Sequence, residues 1–529
     1  MSQYRSRLFF DRGNEPTFLI RKVGKRTYLS WKKGKPKNFR AELYGLFWQK
    51  SFGQGFGAES SNSSFPKKGR HKNFRTELHG FILVKVFWIP KDFLQKVLWS
   101  GVGATPQLIF PSSIKAKTTY KKRYNKMNII NGGVCAAKGF SASGVHCGIR
   151  KNKLKRDLAL IYSEVPASAA AVYTTNLVKG APLTVTKNHI SNGIAQAVIC
   201  NSGNANTCNS DGIEIAEKMS EILAGNLKIK ANDVIVASTG VIGQKLDITP
   251  IANGIPELIK NLGDNSKDAA EGIMTTDTVL KEISVSFNVG GKECHIGGIA
   301  KGSGMIHPNM ATMLVFITTD ASISPEMLDK ALHSDIQNTF NMVSVDGDTS
   351  TNDMVCVMAN GMAGNETITS EGDDFSEFMK ALNTVTVYLC RKIAGDGEGA
   401  TKLLECKVDG ADSEKTAKTV AKSVICSSLF KAAMFGADAN WGRVLCAIGY
   451  SGAPVDVNKI DVSFKSAAGV VDVCKNGAGI DFSEETAKKV LTEKEIEVLI
   501  SLNSGNYSAT AWGCDLTYDY VKINGDYRT

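Results

Sequence analysis

The chain has 529 residues, 43% of them hydrophobic and 22% charged, which supplies a core but is too long for one ordinary domain. Its net charge of +11 averages two unlike pieces: residues 1–126 carry 27 Lys and Arg against 6 Asp and Glu, and the remainder carries 36 against 46. No stretch approaches the ~20 apolar residues of a membrane span and no secretory signal is recognisable, so no membrane partner is expected and the location expected is cytoplasmic.

Residues 1–126 contain a near-repeat. Lys33-Gly-Lys-Pro-Lys-Asn-Phe-Arg-Ala-Glu-Leu-Tyr-Gly returns as Lys68-Gly-Arg-His-Lys-Asn-Phe-Arg-Thr-Glu-Leu-His-Gly, and two copies fall short of the roughly three that a solenoid needs. Four of the six Trp lie here among basic residues, without a regular hydrophobic period. Three readings stay open. The segment is an extension outside the fold, with Met127 as the true start; or an Arg-rich transit leader to an organelle matrix; or a nucleic-acid-binding segment. The acidic body opposes the last, so nucleic acid is not an expected partner.

From Met127 onward, short strands alternate with amphipathic helices. Asp211-Gly-Ile-Glu214 predicts a capping box for a helix carrying Ile215, Met219, Ile222 and Leu223. Val234-Ile-Val-Ala237 is an apolar strand, and Ile283, Val285, Phe287 and Val289 alternate as another that ends at Gly290-Gly291. Ser324-Pro325 predicts an N-cap with proline at N1, opening a helix with Leu328, Leu332, Ile336 and Phe340 on one face. Ile460, Val462 and Phe464 form a further strand. Hairpins mixed with helices, rather than regular βαβ units, predict a layered α+β architecture.

All twelve Cys lie in the body, scattered singly. Without paired Cys/His spacings neither a zinc site nor a disulfide framework is expected; buried free thiols in a reducing compartment fit. Asp346-Gly-Asp-Thr-Ser-Thr-Asn-Asp353 lacks the glycine and glutamate of a calcium loop and reads as a polar loop. No metal is expected.

The segment Lys301-Gly-Ser-Gly-Met-Ile-His-Pro-Asn-Met-Ala-Thr312 runs through glycines into the apolar run Met313 to Ile317, which predicts a buried strand. Thr312 therefore stands at the entrance to a rigid element. Its hydroxyl is suited to attack the carbonyl before it, giving an ester and then two chains. The freed α-amino group, with a pKa of about 7.7–8.0, is then suited to act as base for Oγ. By spacing alone a plain β-branched residue opening a strand explains Thr312 as well.

The body resembles the ornithine acetyltransferases, the bifunctional glutamate N-acetyltransferase family of arginine biosynthesis. The similarity rests on Gly133-Val-Cys-Ala-Ala-Lys-Gly-Phe, Asn201-Ser-Gly-Asn-Ala-Asn, Ser238-Thr-Gly-Val-Ile-Gly, Met274-Thr-Thr-Asp-Thr, the Lys301–Thr312 segment, Gly395-Asp-Gly-Glu-Gly-Ala-Thr-Lys and Phe435-Gly-Ala-Asp-Ala-Asn-Trp-Gly-Arg. These occur in order along residues 127–529. The resemblance implies that Thr312 is both self-cleavage residue and acyl-accepting nucleophile, with the scissile bond at Ala311–Thr312. It implies an oxyanion hole from Thr239 and Gly240, where one lost donor costs ~3–4 kcal/mol, although Ser-Thr-Gly alone reads as a turn. Thr275 or Thr276 (Thr275 preferred), Lys301, Glu398, Asn524 and Thr529 would contact substrate, the cation suiting an α-carboxylate and the anion an ammonium. Standing alone, a Lys and a Glu read as solvated surface residues. Two positions depart from the family pattern: His307, where a small apolar residue is expected, and Ser427-Ser428.

What the resemblance implies as a whole is an α-β-β-α sandwich of the self-cleaving Thr-nucleophile acetyltransferase kind, with a smaller C-terminal lobe. An alpha chain of 127–311 and a beta chain of 312–529 would stay associated, as a heterotetramer of two of each. Acetyl would pass from N-acetylornithine to Thr312 and on to glutamate in ping-pong fashion, with no bound cofactor and with acetyl-CoA as a potential co-substrate. Rival readings are a self-processing Thr-nucleophile aminopeptidase or amidase, with water as acceptor, and nucleic-acid binding by the basic extension.

Overall fold

The computed structural model describes residues 127–307 and 313–525, together with the course of five short strands in the first 120 residues. Those five form a three-stranded antiparallel ribbon (Arg5–Arg7, Thr17–Val23, Arg26–Lys32) and a separate antiparallel pair (Arg40–Glu42, Lys85–Phe87). Met1–Tyr120 and Lys121–Thr529 are two distinct compact units. Most of the basic repeat lies outside the described residues.

The second unit is built on two mixed sheets. Its first strands are β1 (Asn128–Ile130), β2 (Phe140–Val145) and the long β3 (Leu158–Tyr173). β4 (Ile194–Asn204) and β5 (Val234–Val241) follow, then the hairpin β6 (Lys281–Val289) and β7 (Lys292–Lys301), then β8 (Leu314–Thr319). A two-residue strand, β9 (Val343–Ser344), belongs to the other sheet, and β10 (Met354–Ala359) completes this one. The order is β5-β4-β3-β10-β8-β7-β6-β1, with β2 also on β3.

The strand β3 branches. Its first half pairs with β2 on one edge and its second half, from Ser168, pairs with β10 on that edge, while β4 runs along the other with a break between Tyr162 and Ala167. The sheet thereby divides into two leaves that face one another. Between them lies an apolar layer in which Phe140, Ile161, Val198 and Ile235 of one leaf meet Ile299, Leu314, Phe316 and Met358 of the other. The period of two along each strand sends alternate residues outward. Leu160, Ile199 and Val236 pack under Ile215 and Met219 of α2 (Gly212–Leu227) and Ile255 of α3 (Ile248–Lys260). On the far side Val285, Ile296 and Val315 pack under Leu328 and Leu332 of α5 (Pro325–Asp335) and Leu382 and Leu389 of α6 (Asp373–Gly395). That is the expected α-β-β-α layering, with α1 (Ala181–His189) on the first leaf and α4 (Ser266–Ile273) contributing Ala269, Ala270 and Ile273 to the middle layer. The strand β8 contributes to both apolar layers, and truncating its buried Phe316 to Ala would cost roughly 3–5 kcal/mol.

The C-terminal lobe is a seven-stranded mixed sheet. At its centre β11 (Leu403–Ala411) lies between β15 (Glu495–Ser501) and β16 (Tyr507–Cys514). Outward from β15 come β12 (Asp461–Ser466), β13 (Gly469–Lys475) and β14 (Ala478–Gly479). Helices α7 (Glu414–Cys426), α8 (Ser428–Phe435), α9 (Trp441–Gly449) and α10 (Glu484–Thr492) belong to this lobe, and α11 (Tyr518–Asn524) returns to the end of the first sheet where β5 and β7 finish. Among the described residues no helix is long and apolar enough to cross a membrane.

Two local expectations need correction. Asp211 occupies the N-cap of α2 but its side chain caps nothing; the carboxylate pairs instead with Lys245 at 3.1 Å. The helix opened by Ser324 is capped as expected, with Ser324 Oγ accepting from Met327 N, but it ends at Asp335. Ile336 and Phe340 are buried in the turns beyond it, where Thr339 Oγ1 donates to the Asp335 carbonyl.

Candidate active site

Seven segments converge at one end of the first sheet on a cavity of about 120 Å³. Its walls include Thr239, Gly240, Thr275, Thr276, Lys301, Gly304, Asn352, Glu398 and Asn524. Every site residue expected from the sequence that falls among the described residues is therefore in one place. Ala311, Thr312 and Thr529 lie outside the described residues. The chain is described up to His307 and again from Met313, and both ends are tied to one stretch: Thr349 Oγ1 donates to the His307 carbonyl at 2.9 Å, and Met354 N to the Met313 carbonyl at 2.8 Å.

The Thr239–Gly240 corner is made by a register break. Thr239 at the end of β5 faces both Ser202 and Asn204 of β4, a bulge that interrupts the parallel ladder. Gly240 has φ +133°, and a Cβ there would stand 2.3 Å from the Gly203 carbonyl carbon, so only glycine fits. The Thr239 hydroxyl makes no hydrogen bond among the described residues and faces the cavity as an uncommitted donor. Asn352 locks this corner from behind. Its Nδ2 donates to the carbonyls of Ala205 (2.6 Å) and Ser238 (2.9 Å), and its Oδ1 accepts from Thr207 (2.6 Å).

Asp277 organises the opposite wall. Its buried carboxylate accepts from Thr275 N (3.0 Å), Gly302 N (2.6 Å) and Lys281 Nζ (2.7 Å). Burial alone would raise this carboxyl, but the Lys281 and Lys301 charges and the Gly302 N–H outweigh it and hold it well below the usual carboxylate range. Lys281, wholly buried, is also bound by Asp396 at 2.5 Å. Lys301 ends β7 and points into the cavity, and its ammonium has no hydrogen bond or ion pair among the described residues. The nearby Asp353 does not neutralise it: burial pushes that carboxyl well above the usual range, and its Oδ2 has no partner. The cavity thus keeps an uncommitted positive charge at Lys301.

On the third side Glu398 meets the backbone of Gly304, where a Cβ would come within 2.2 Å of its Oε2. Asn524 Nδ2 of α11 donates to Glu398 Oε2 at 2.8 Å. The adjoining turn is strained, since Met305 has φ +56°, and Asp346 holds it by accepting from Met305 N (2.6 Å) and Ile306 N (2.8 Å). His307 turns away from the cavity to Ser344 Oγ (3.1 Å) and Cys426 Sγ (3.5 Å), and burial and the Lys422 charge push its imidazole down to about 4. It is neutral at pH 7.

The resemblance, not the spacing, pointed to the cavity-lining residues; Asp277, Asp346, Asn352 and Lys281 were missed. Lys281 carries the one signal that could have found it, for it stands in phase with Ile283, Val285 and Phe287 on a buried strand. Residues 346–353, expected as an ordinary polar loop, have a structural role, with Asp346 and Asn352 bracing the site. Among the described residues no three His, Cys, Asp or Glu are grouped to hold a metal ion.

The ArgJ family profile matches residues 141–529. An arginine biosynthesis bifunctional protein ArgJ from Caldanaerobacter subterraneus is 52% identical over 405 residues, 76% of this chain and all of that protein. A solved ArgJ from Bacillus halodurans is 49% identical, covering 40% of this chain and 99% of its own with a TM-score of 0.39. An ornithine acetyltransferase from Mycobacterium tuberculosis, solved with ornithine, is 34% identical, covering 35% of this chain and all of its own with a TM-score of 0.33. With the family profile spanning nearly three quarters of its length and a full-length relative at 52% identity, the chain belongs to the ArgJ family.

Proposed function

We propose that this chain transfers acetyl from N-acetylornithine to glutamate through an ester on Thr312, the residue that self-cleavage of Ala311–Thr312 makes the first of a second chain. The observation that carries this is the composition of the cavity. An uncommitted cation, a carboxylate held by an amide and a bulged Thr-Gly corner surround one small space, and in the sequence Thr312 immediately precedes Met313 and the strand β8.

Lys301 is suited to the α-carboxylate and Glu398, steadied by Asn524, to the side-chain ammonium of ornithine. Thr312 Oγ attacks the acetyl carbon while its own α-amine takes the proton. Thr239 Oγ1 and Gly240 N–H donate to the oxyanion. When the C–N bond breaks, that proton passes to the departing amine of ornithine. Glutamate's amine then attacks the acetyl ester, its proton returns to Thr312 Oγ, and N-acetylglutamate leaves. The same ester is reached from acetyl-CoA with a thiol as leaving group. The cleaved chains stay together, as two copies of each.

The test is the intact mass of the protein together with both halves of the exchange. Two species, one beginning at Thr312, with ornithine released only when the Thr is present, are expected. A single mass unchanged on incubation and identical in Thr312→Ala would overturn the nucleophile assignment, and acetyl transfer persisting in that variant would overturn the mechanism.

A further inference from the structure

The reading above gives a partner to the charged groups of the cavity and to its Thr239–Gly240 corner, and leaves its apolar walls without one. Glycines apart, the lining residues that carry no polar side chain are Ala205, Ile242 and Met305. Ala205 is buried, whereas Ile242 and Met305 are large and stand open, 40% and 42% exposed. These two belong to different ends of the space. Met305 follows Gly304, whose backbone abuts the Glu398 carboxylate, so it borders the ammonium end. Ile242 comes two residues after Gly240 and borders the oxyanion corner, with Ala205 just beyond Asn204, the residue that registers with Val241.

Ile242 is exposed without being loosely held. Past the bulge the two chain segments continue as a narrow ladder, in which Ala205 N donates to the Val241 carbonyl (3.0 Å) and Gly243 N to the Thr207 carbonyl (3.0 Å). The backbone is therefore pinned on both sides of Ile242. The facing turn is equally fixed. Asn206 is wholly buried at φ +47°, and its Nδ2 donates to the Gly212 carbonyl at 2.8 Å. Thr207 Oγ1 donates to Asn352 Oδ1 at 2.6 Å, and Asn352 is also the brace of the oxyanion corner. One side chain thus sets both the corner and the apolar wall beside it. A wall fixed relative to the group that receives the acyl oxygen is placed to measure what else the acyl carbon carries.

We propose that Ile242, backed by Ala205, determines acyl-chain length: it packs against the acetyl methyl and turns away longer acyl groups. The proposal rests on the acetyl-transfer reading above. With the acyl oxygen in the Thr239–Gly240 corner and the donor nitrogen directed to the ornithine held by Lys301 and Glu398, the alkyl substituent of the acyl carbon is left to the apolar side. Acetyl presents one methyl there. Propionyl adds a methylene that has to displace a β-branched side chain with little rotamer freedom. A pocket reads a difference of one methylene as about 10- to 200-fold in kcat/KM.

The full chain is compared with Ile242→Ala, with the milder Ile242→Val, and with Met305→Ala at the other end of the cavity. Each receives N-acetylornithine or N-propionylornithine as donor and glutamate as acceptor, and ornithine release gives kcat/KM for both. The native protein should prefer the acetyl donor at least about tenfold. Ile242→Ala should shrink that ratio by at least about tenfold, chiefly by speeding propionyl transfer, and Ile242→Val by less. Met305→Ala should change both donors alike and leave the ratio within about twofold of native. A merely structural role for Ile242 would slow both donors together, so the ratio separates the two roles. If Ile242→Ala does not fold, Ile242→Val, which removes a single methyl, decides by the same ratio. A native protein that uses both donors equally, an unmoved ratio in the Ile242 variants, or an equal shift in Met305→Ala would overturn the inference and leave the acetyl exchange standing. No ornithine released from N-acetylornithine by the native protein would sink the function proposed above, and the inference with it.

Discussion

Asp277 separates two regions that treat positive charge in opposite ways. On one side Lys281 is sealed between Asp277 and Asp396. On the other Lys301, at the same end of the same hairpin, where Lys281 registers with its neighbour Ala300, has no carboxylate bonded to it. A buried cation lacking a partner is costly, and a buried pair that loses one member is costlier than an apolar replacement. The sealed lysine therefore belongs to the fold, and the open one suits the anionic substrate group that the proposed function assigns to it. Asp353 reinforces the contrast, because a carboxyl raised by burial leaves the Lys301 charge in place.

The two lysines should separate most clearly under substitution. Lys281→Met strands two buried carboxylates and should cost about 3–5 kcal/mol in urea denaturation; a variant as stable as the native protein would remove the distinction. The Asp277 carboxyl is held low, so its contribution is present above the unfolded value of about 3.9 and is lost as pH falls through the folded value. Acid unfolding of the native protein should accordingly be steeper than that of a variant lacking this network. On the open side Thr239→Ala should lower kcat by roughly 10²-fold, about 3 kcal/mol, with the denaturation midpoint unmoved; an unchanged kcat would take the hydroxyl out of the oxyanion hole. Lys301→Met should raise KM for N-acetylornithine about tenfold and leave stability equal or higher, the reverse of Lys281→Met. The smallest effect concerns His307. With its folded value near 4 and an unfolded value of about 6.5, the unfolded chain binds more protons between these limits. Stability is full above about 6.5 and declines toward 4, and His307→Gln should flatten that slope in denaturation series at pH 7 and 5.

Much of this was legible in the chain, and unevenly. Alternation at Ile283, Val285, Phe287 and Val289 gave a strand and its glycine turn because a hairpin edge is a local event. The capping box at Asp211 failed because a tertiary partner, Lys245, competes for the carboxylate. The helix from Ser324 was expected to run on because apolar periodicity continues through Ile336 and Phe340, but these are buried beyond the α-helix, Ile336 in a turn and Phe340 at the head of a short 3-10 helix. Within the site, periodicity alone left Thr239, Lys301 and Glu398 indistinguishable from turn and surface residues; similarity of ordered motifs singled them out. Asp277 and Asn352 lie within family-like motifs but received no role, since their work is to hold other groups and depends on partners far along the chain.

The interleaving of the first sheet carries one more consequence. Strands β8 and β10, both after Met313, lie side by side between β3 and β7, both before His307. A cut anywhere between His307 and Met313 severs the polypeptide without creating a separable interface: each fragment is stitched into the other by hydrogen-bonded ladders on two edges. Release of either fragment would require the sheet itself to unravel, so dilution should not part them. The nicked protein should melt in one transition, as though still a single thread.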